Sequence, residues 1–151
     1  MLEVIRRSVR GLLTDGSGRL LLIRRTKPGV APYWTAPGGG AEPGDASLQA
    51  ALARELREEL GAVADNFEKV FLHSSSESAG LSVQHFFLCR LVSLDEGART
   101  GDEYIDVSRG GYDLDRVPFD DVERVDLKPK ELKDFVVRNA QALQSIAAQP
   151  A

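Results

Sequence analysis

Blocks of apolar residues separated by polar turns predict strands in two parts of the chain. Residues 4–14 and 19–25 have the β-branched and aliphatic content of strands, and the residues at 15–18 favour a turn, so they predict a hairpin. The run at 19–25 does not alternate with polar residues, which indicates a strand buried on both faces. Strands over residues 67–75 and 82–94, joined by a serine-rich polar stretch, predict a second hairpin.

Helical spacing marks two further segments. Residues 45–60 predict a helix that Asp45 or Ser47 caps at its start and that Gly61 ends in a left-handed conformation. Its apolar stripe recurs every four residues, at Leu48, Leu52, Leu56 and Leu60. A final helix is expected to begin at 128–129 and to present the stripe Leu132, Phe135, Val136, Leu143 and Ile146. The tail at 147–151 is expected to fray.

Prolines and glycines dominate residues 27–44, a composition that argues against a continuous helix or a central strand. We predict a long, ordered loop there, because the aromatic pair Tyr33–Trp34 needs a surface on which to pack. Residues 100–115 are mixed, with a short strand at 104–107 and a break at 110–111. With two helices and about six strands, the expected fold class is α+β.

Composition and charge narrow the class of protein. A chain of 151 residues that is 42% hydrophobic and 28% charged fits one globular domain over residues 1–151. The single cysteine, Cys89, excludes an intramolecular disulfide and a cysteine-based zinc site. No apolar run is long enough to span a bilayer and the N-terminus has no apolar signal core, so we expect a cytoplasmic protein with no membrane partner. A net charge of -4 argues against a nucleic-acid polymer as partner.

The candidate chemistry lies on the first helix. At 100° per residue around the helix axis, Glu55, Glu58 and Glu59 share a face that adjoins the leucine stripe. Glu58 and Glu59 lie in the last turn of the helix, where the helix dipole disfavours negative charge. One interpretation is a solvated face on which Arg54 pairs with Glu58. We favour a site for a hard divalent cation, Mg²⁺ or Mn²⁺, to which the glycine-rich loop would add a carbonyl oxygen.

Two segments resemble the Nudix box of the MutT-like hydrolases: GGAEPGD at 39–45 and RELREELG at 54–61, with Pro-Gly-Gly at 37–39. The family pattern is a glycine, five residues, a glutamate, seven residues and then R-E-U-x-E-E-x-G-U, where U is aliphatic. Here an aspartate, Asp45, replaces the glutamate, and eight residues rather than seven precede Arg54.

The extra residue leaves two alignments of the box. A box that starts at Gly40 keeps seven residues but places Ala46 at the acidic position. We prefer Asp45 with one additional residue at the junction of loop and helix. The last aliphatic position is occupied by Ala62, a small departure from the pattern.

The resemblance implies a Nudix-like α/β/α sandwich with a mixed β-sheet and a loop-helix-loop catalytic motif at about residues 39–62. The metal ligands that it implies are the carbonyl of Gly39 and the carboxylates of Glu55, Glu58 and Glu59. Glu55 would alternatively act as the base. Arg54 would orient the glutamates and pair with Asp45. The implied cofactor is Mg²⁺, with Mn²⁺ as an alternative.

Members of this family usually hydrolyse a pyrophosphate bond in a nucleoside diphosphate linked to another moiety. The resemblance therefore implies a pyrophosphatase with a small nucleotide substrate, and without the signatures of other subfamilies we expect a MutT-like nucleoside triphosphate pyrophosphohydrolase. Nucleotide sugars and dinucleoside polyphosphates are alternative substrates. A non-catalytic nucleotide-binding module and a structural domain are alternative functions. Dimers are common in the family, so a homodimer stays open.

Several residues outside the box are candidates for substrate binding. Three cations at the end of the second strand either contact distal phosphates or are ordinary surface charges: Arg24, Arg25 and Lys27. Trp34 either stacks on a base or packs against the core, which is the commoner use of a buried aromatic residue. Glu103, beside Asp102, either supplies a further carboxylate or belongs to a solvated turn. Three strand residues are expected to be structural: His73, His85 and Cys89.

Overall fold

The computed structural model describes residues 2–98 and 110–149. Within these ranges it has three α-helices: α1 (Leu48–Leu60), α2 (Lys130–Arg138) and α3 (Ala140–Ala147). It has eight strands there: β1 (Val4–Thr14), β2 (Arg19–Lys27), β3 (Val30–Thr35), β4 (Gly38–Gly40), β5 (Ala62–Glu77), β6 (Gly80–Leu94), β7 (Gly111–Pro118) and β8 (Leu127–Lys128). In the same two ranges, short 3-10 helices cover Glu96–Ala98 and Phe119–Arg124.

All eight strands belong to one mixed sheet. Its main order is β5-β6-β1-β2-β3-β8, while β4 pairs with β1 and β7 pairs with β2. Strand β1 runs parallel to β6 along its whole length and antiparallel to β2 and β4. The predicted first hairpin is confirmed, but β1 and β2 pair only at Leu13–Leu21 and Thr14–Leu20. Because the two strands then diverge, β4 pairs with the part of β1 that β2 leaves open.

The two faces of the sheet carry separate cores. On the first, which we call the α1 face, helix α1 packs on strand residues that include Val9, Leu13, Leu21, Ile23 and Phe87. On the other, the α2 face, helices α2 and α3 cover strand residues that include Leu12, Leu20, Leu22, Phe86 and Leu88. Residues 20–23 are all fully buried, so the prediction of a strand buried on both faces is confirmed. Each buried aliphatic side chain stabilises the fold by about 1.5–3 kcal/mol.

The predicted first helix is confirmed, with a later start. Ser47 is its N-cap, and the Ser47 Oγ accepts a hydrogen bond from the Ala50 N–H at 3.0 Å, a contact typically worth about 1 kcal/mol. Gly61 ends the helix with a φ of 66°, as expected for a left-handed cap. The helix begins at Leu48 rather than at Asp45, because the Asp45 side chain is engaged in the preceding loop.

The prediction that residues 27–44 form a loop without strands is wrong. Strand β3 forms there, and Pro32 is accommodated because it falls between the paired positions Val30 and Tyr33, where the register with β2 shifts. Strand β4 consists of three glycines. At Gly38, whose φ is 149°, a Cβ atom would collide with the carbonyl oxygen of Val9, so only glycine allows this approach to β1.

The second hairpin is confirmed, with both strands longer than predicted. Strand β5 begins at Ala62 and β6 at Gly80, and the pairing of the two strands shifts register at three places along β5. These irregularities interrupt the alternation of apolar and polar residues, which explains why the pattern indicated only the central part of β5.

Two predictions for the C-terminal half need correction. The break expected at 110–111 is present at Gly110, which has a φ of 88° and lies before the strand, whereas Gly111 already belongs to β7, which pairs with β2 over eight residues. The expected strand at 104–107 lies outside the described residues. The single final helix is divided at Asn139, whose φ is -113° and whose side-chain amide donates to the Phe135 carbonyl at 2.9 Å. The expected count of two helices and about six strands is therefore too low.

Across residues 2–98 and 110–149, none of the helices combines the length and the apolar character needed to cross a bilayer.

Candidate active site

The glycine-rich strand β4 brings the start of the box next to helix α1. Gly39 pairs with Val9 of β1, which fixes the β4 backbone against that strand. A Cβ atom on Gly39 would collide with the carboxylate of Glu55, so this carboxylate lies directly against the glycine backbone. The packing of α1 on the sheet through its leucines holds Glu55 in this place.

Arg54 is the centre of the polar network. Its Nη1 donates to Glu55 Oε1 at 2.9 Å and to Glu58 Oε2 at 3.3 Å. Its Nη2 donates to the Gly40 carbonyl at 3.2 Å. A single guanidinium therefore links two carboxylates of the helix to strand β4, a geometry that the planar donors of arginine permit. The predicted pairing of Arg54 with Glu58 is present, as one part of this larger network.

Asp45 completes the network on the loop side. It receives two hydrogen bonds from Arg54 and one from the Glu42 N–H, the last at 2.7 Å. These contacts hold the pKa of Asp45 below its usual range, with the Arg54 hydrogen bond as the main cause. The carboxylates of Asp45 and Glu55 in turn raise the pKa of Arg54, so the guanidinium stays charged. The structure brings together the pair that the preferred alignment of the box predicts.

Glu59 is the most enclosed of the three glutamates, with 6% of its surface exposed. Its Oε1 accepts a hydrogen bond from the Gly38 N–H at 3.1 Å, and its Oε2 accepts one from the Tyr112 hydroxyl. A carboxylate in such a place needs strong donors, because burial otherwise disfavours its charged form. A backbone amide of β4 and a side chain of β7 supply them.

The donor set has the chemistry that a hard divalent cation requires. Three carboxylates of α1 and the backbone of Gly39 offer only oxygen ligands, as Mg²⁺ and Mn²⁺ prefer. In the described ranges, the structure gathers no group of three or more His, Cys, Asp or Glu side chains closely enough to hold a metal ion. The glutamates are instead held by hydrogen bonds from Arg54, Gly38 and Tyr112.

The predicted substrate-binding residues divide between the two faces of the sheet. The Arg24 guanidinium lies 5.7 Å from the centre of the Trp34 ring, and Trp34 Nε1 donates to Asp115 at 2.9 Å. Trp34 packs against the core of the α2 face, so it fills the structural role that we considered the commoner one. Arg24 and Trp34 are thus separated by the sheet from the glutamates of α1.

The other two cations lie toward the α1 face. Arg25 pairs with Tyr112 across β2 and β7, and its guanidinium lies 4.7 Å from the centre of the Tyr112 ring, which packs against the core of that face. Lys27 Nζ lies 5.8 Å from the Tyr33 ring, and Lys128 Nζ lies 5.3 Å from the same ring. The remaining candidate, Glu103, lies outside the described residues.

The residues expected to be structural have partners that the sequence did not indicate. His73 Nε2 lies 3.2 Å from a carboxylate oxygen of Glu131. His85 is buried and its Nε2 lies 2.9 Å from Arg7 Nη1, while burial and the charges of Lys69 and Arg7 lower its pKa. Burial raises the pKa of Cys89 to about 12, as expected for a thiol in the core.

Tyr112 is the site residue that sequence reasoning missed. It lies 53 positions after Glu59 and reaches it only because β7 pairs with β2. The alternation of apolar and polar residues over 112–115 would have indicated a short strand with Tyr112 on its apolar face. It would not have indicated the contact with Glu59, which depends on the order of strands in the sheet.

Comparison with known proteins agrees with this architecture. The family model for the NUDIX domain matches residues 4–137. A NUDIX hydrolase from Nitrosomonas europaea has a TM-score of 0.68 at 17% identity, covering 91% of this chain and 88% of that one. The E. coli ORF135 protein has a TM-score of 0.63 at 25% identity, covering 97% and 94%. A structure described as ADP compounds hydrolase has a TM-score of 0.70 at 23% identity, covering 95% and 76%. Among curated proteins, none matches this chain.

Proposed function

The chain belongs to the NUDIX domain family and is a hydrolase, and we propose that it uses Mg²⁺ or Mn²⁺ to cleave a pyrophosphate bond in a nucleoside diphosphate linked to another moiety. The proposed substrate class is the nucleoside triphosphates, as in MutT-like pyrophosphohydrolases. One observation carries the proposal: Arg54 holds Glu55 and Glu58 beside the glycines of β4, next to the enclosed Glu59. The fold class and the family resemblance expected from the sequence are both confirmed.

The proposed roles follow from the surroundings of each side chain. Glu58 and Glu59 would hold the metal ion, together with the carbonyl of Gly39, and Glu55 would act as a further ligand or as the base. A divalent ion in such a site lowers the pKa of bound water, neutralises charge on the phosphates and aligns the attacking water with the leaving group. Arg54 bridges the carboxylates of Glu55 and Glu58 by donating to both, and its positive charge offsets their mutual repulsion.

Two of the predicted cations are placed to help bind the phosphates. Arg25 and Lys27 lie toward the α1 face, the face on which the glutamates are held. The Arg25 guanidinium lies 4.7 Å from the centre of the Tyr112 ring, and Lys27 Nζ lies 5.8 Å from the centre of the Tyr33 ring. Charge-assisted contacts from these side chains would complement those of the metal ion, which explains how an acidic protein binds a polyanion. Arg24 and Trp34 contact each other on the opposite face, so the proposal assigns them no contact with the phosphates.

A substrate panel tests this proposal. Purified protein is incubated with Mg²⁺ or Mn²⁺ and with nucleoside triphosphates including oxidised forms, nucleotide sugars, dinucleoside polyphosphates and ADP-ribose. Inorganic pyrophosphatase or phosphatase is added where the product needs conversion to free phosphate. We expect metal-dependent release from a nucleoside triphosphate that Glu59→Gln abolishes.

Other results would redirect the proposal. Phosphate release from another substrate class alone would show that the proposed substrate is wrong, while the protein would still be a hydrolase. Metal binding without turnover across the panel would favour a nucleotide-binding module. Neither metal binding nor turnover would favour a structural domain.

A further inference from the structure

Glu59 receives one hydrogen bond from the glycine-rich strand at the start of the box and one from a strand that follows it much later in the sequence. The first comes from the Gly38 N–H of β4, and the second comes from the Tyr112 hydroxyl of β7. A carboxylate held by two donors on its two oxygens cannot rotate freely about its Cγ–Cδ bond. Its orientation is therefore set jointly by β4 and β7.

Tyr112 is itself held firmly in place. Strand β7 pairs with β2 over eight positions, with Tyr112 directly opposite Arg25. The Arg25 guanidinium lies 4.7 Å from the centre of the Tyr112 ring, and the ring packs against the core of the α1 face. At the start of β7, a Cβ atom on Gly111 would collide with the Thr26 side chain, so this glycine lets β7 approach β2 closely. The hydroxyl that reaches Glu59 thus belongs to a fixed ring.

We propose that Tyr112 is a positioning residue: through its hydrogen bond to Glu59 Oε2, it sets the orientation in which this carboxylate meets the metal ion. The inference rests on the proposed function and adds to it a residue outside the box. Hydrogen bonds to ligating carboxylates typically matter by about 10- to 100-fold in metal affinity or activity, because they fix the direction of the ligand. Tyr112 acts through Glu59 and is assigned no contact with the substrate.

The decisive test is Mn²⁺ binding in the absence of substrate, measured by titration calorimetry on the full chain. Tyr112→Phe keeps the ring and its packing and removes only the hydroxyl. We expect it to raise the dissociation constant for Mn²⁺ by about 10- to 100-fold. We also expect the loss of turnover to be recovered largely by raised Mn²⁺, so that the metal concentration for half-maximal rate changes more than kcat.

Thr14→Val is the matched control. Thr14 Oγ1 donates to the Cys89 carbonyl at 3.2 Å in the buried part of the same sheet, so this variant also removes one hydroxyl hydrogen bond. A purely structural role for Tyr112 predicts that both variants lose thermal stability and that neither changes Mn²⁺ affinity. The proposal predicts that only Tyr112→Phe changes it.

Glu59→Gln distinguishes a failure of the positioning role of Tyr112 from a failure of the proposed function. If Glu59→Gln weakens Mn²⁺ binding and Tyr112→Phe binds as the wild type does, the positioning role is wrong and the proposed function stands. If the wild type itself neither binds Mn²⁺ nor hydrolyses any nucleotide, the proposed function is wrong and the positioning role is overturned with it.

A second measurement covers the case in which Tyr112→Phe does not fold. The wild type contains three tyrosines, so fluorotyrosine labelling gives three ¹⁹F resonances that Tyr33→Phe and Tyr104→Phe assign by elimination. Addition of Mg²⁺ is expected to shift the resonance of Tyr112, because its hydroxyl donates to a ligand. A Tyr112 resonance unchanged at saturating Mg²⁺ would overturn the proposal.

Discussion

Arg54 and Asp45 are joined by two parallel hydrogen bonds, Nε to Oδ1 and Nη2 to Oδ2, each 3.0 Å long. The pair forms although Asp45 is one methylene shorter than the glutamate of the family pattern and eight residues separate it from Arg54. Helix α1 begins only at Leu48, so residues 46 and 47 form the junction between Asp45 and the helix. The loop is thus held to helix α1 by the Asp45 carboxylate, and the Arg54 guanidinium stays oriented toward Glu55 and Glu58.

Arg54→Lys tests whether the fork, rather than its charge, organises the site. A lysine has one ammonium group and cannot bridge Asp45, Glu55 and the other acceptors at once, so we expect kcat/KM to fall by about 10- to 100-fold. Arg57→Lys, at an exposed position of the same helix, is the matched control and should stay near wild type. Equal rates for the two variants would show that positive charge alone suffices.

Asp45→Asn should lower activity less than Glu59→Gln does. The asparagine side chain would keep one acceptor oxygen for Arg54 but lose the negative charge. The substitution therefore weakens the contact between the loop and Arg54 without removing a proposed metal ligand. We expect a loss of about tenfold or less in kcat/KM, measured on the substrate that the panel identifies. A loss as large as that of Glu59→Gln would mean that Asp45 does more than hold the loop.

Acid denaturation should report the same ion pair. The pKa of Asp45 is lower in the folded protein than its ordinary value of 3.8, because Arg54 and the Glu42 N–H stabilise the carboxylate. The ion pair of Asp45 with Arg54 therefore contributes its full stabilisation to the folded protein above pH 3.8. This stabilisation is lost as the pH falls through the lower pKa that Asp45 has in the folded protein. The difference in unfolding free energy between wild type and Asp45→Asn should be constant at neutral pH and should shrink below about pH 4. Denaturant melts across this range check it, and parallel curves would contradict it.

Cys89 should be unreactive in the folded protein. Its side chain is buried and its pKa is raised to about 12, so the reactive thiolate is scarce at about pH 8. We expect slow reaction with a disulfide reagent in native buffer and immediate, stoichiometric reaction in guanidinium chloride. Prompt labelling of the native protein would show that Cys89 is accessible and would contradict its assignment to the core.

Elements with strong local signals could be predicted from the sequence. Helix α1 was predicted from its leucine period, its Ser47 cap and its Gly61 terminus, because each of these acts within a few residues. Strand β3 was missed because Pro32 and its glycine neighbours suggest a loop, whereas pairing with β2 and β8 at the sheet decides the outcome. The division between α2 and α3 depends on one residue, Asn139, within an otherwise continuous apolar stripe.

The candidate site shows the same division between local and long-range information. Helical spacing predicts that Glu55, Glu58 and Glu59 share one face, and the resemblance to the Nudix box implies that Arg54 orients them. The structure brings Arg54 into contact with Glu55 and Glu58. The separation of Arg24 from Arg25 follows from strand alternation, which sends adjacent residues to opposite faces. The contact of Tyr112 with Glu59 required the pairing of β7 with β2, and no sequence pattern specifies that pairing.

The turnover of Glu59→Gln at saturating Mg²⁺ tests whether this carboxylate belongs to the metal site, with Glu123→Gln at an exposed position as the matched control. The substitution keeps the shape of the side chain and removes its charge. We expect kcat to fall by at least about 100-fold while circular dichroism and thermal melting show an intact fold, and we expect the control to match the wild type. Glu59→Gln with wild-type turnover and an intact fold would contradict the assignment of this carboxylate to the metal site, and with it the account of the active site.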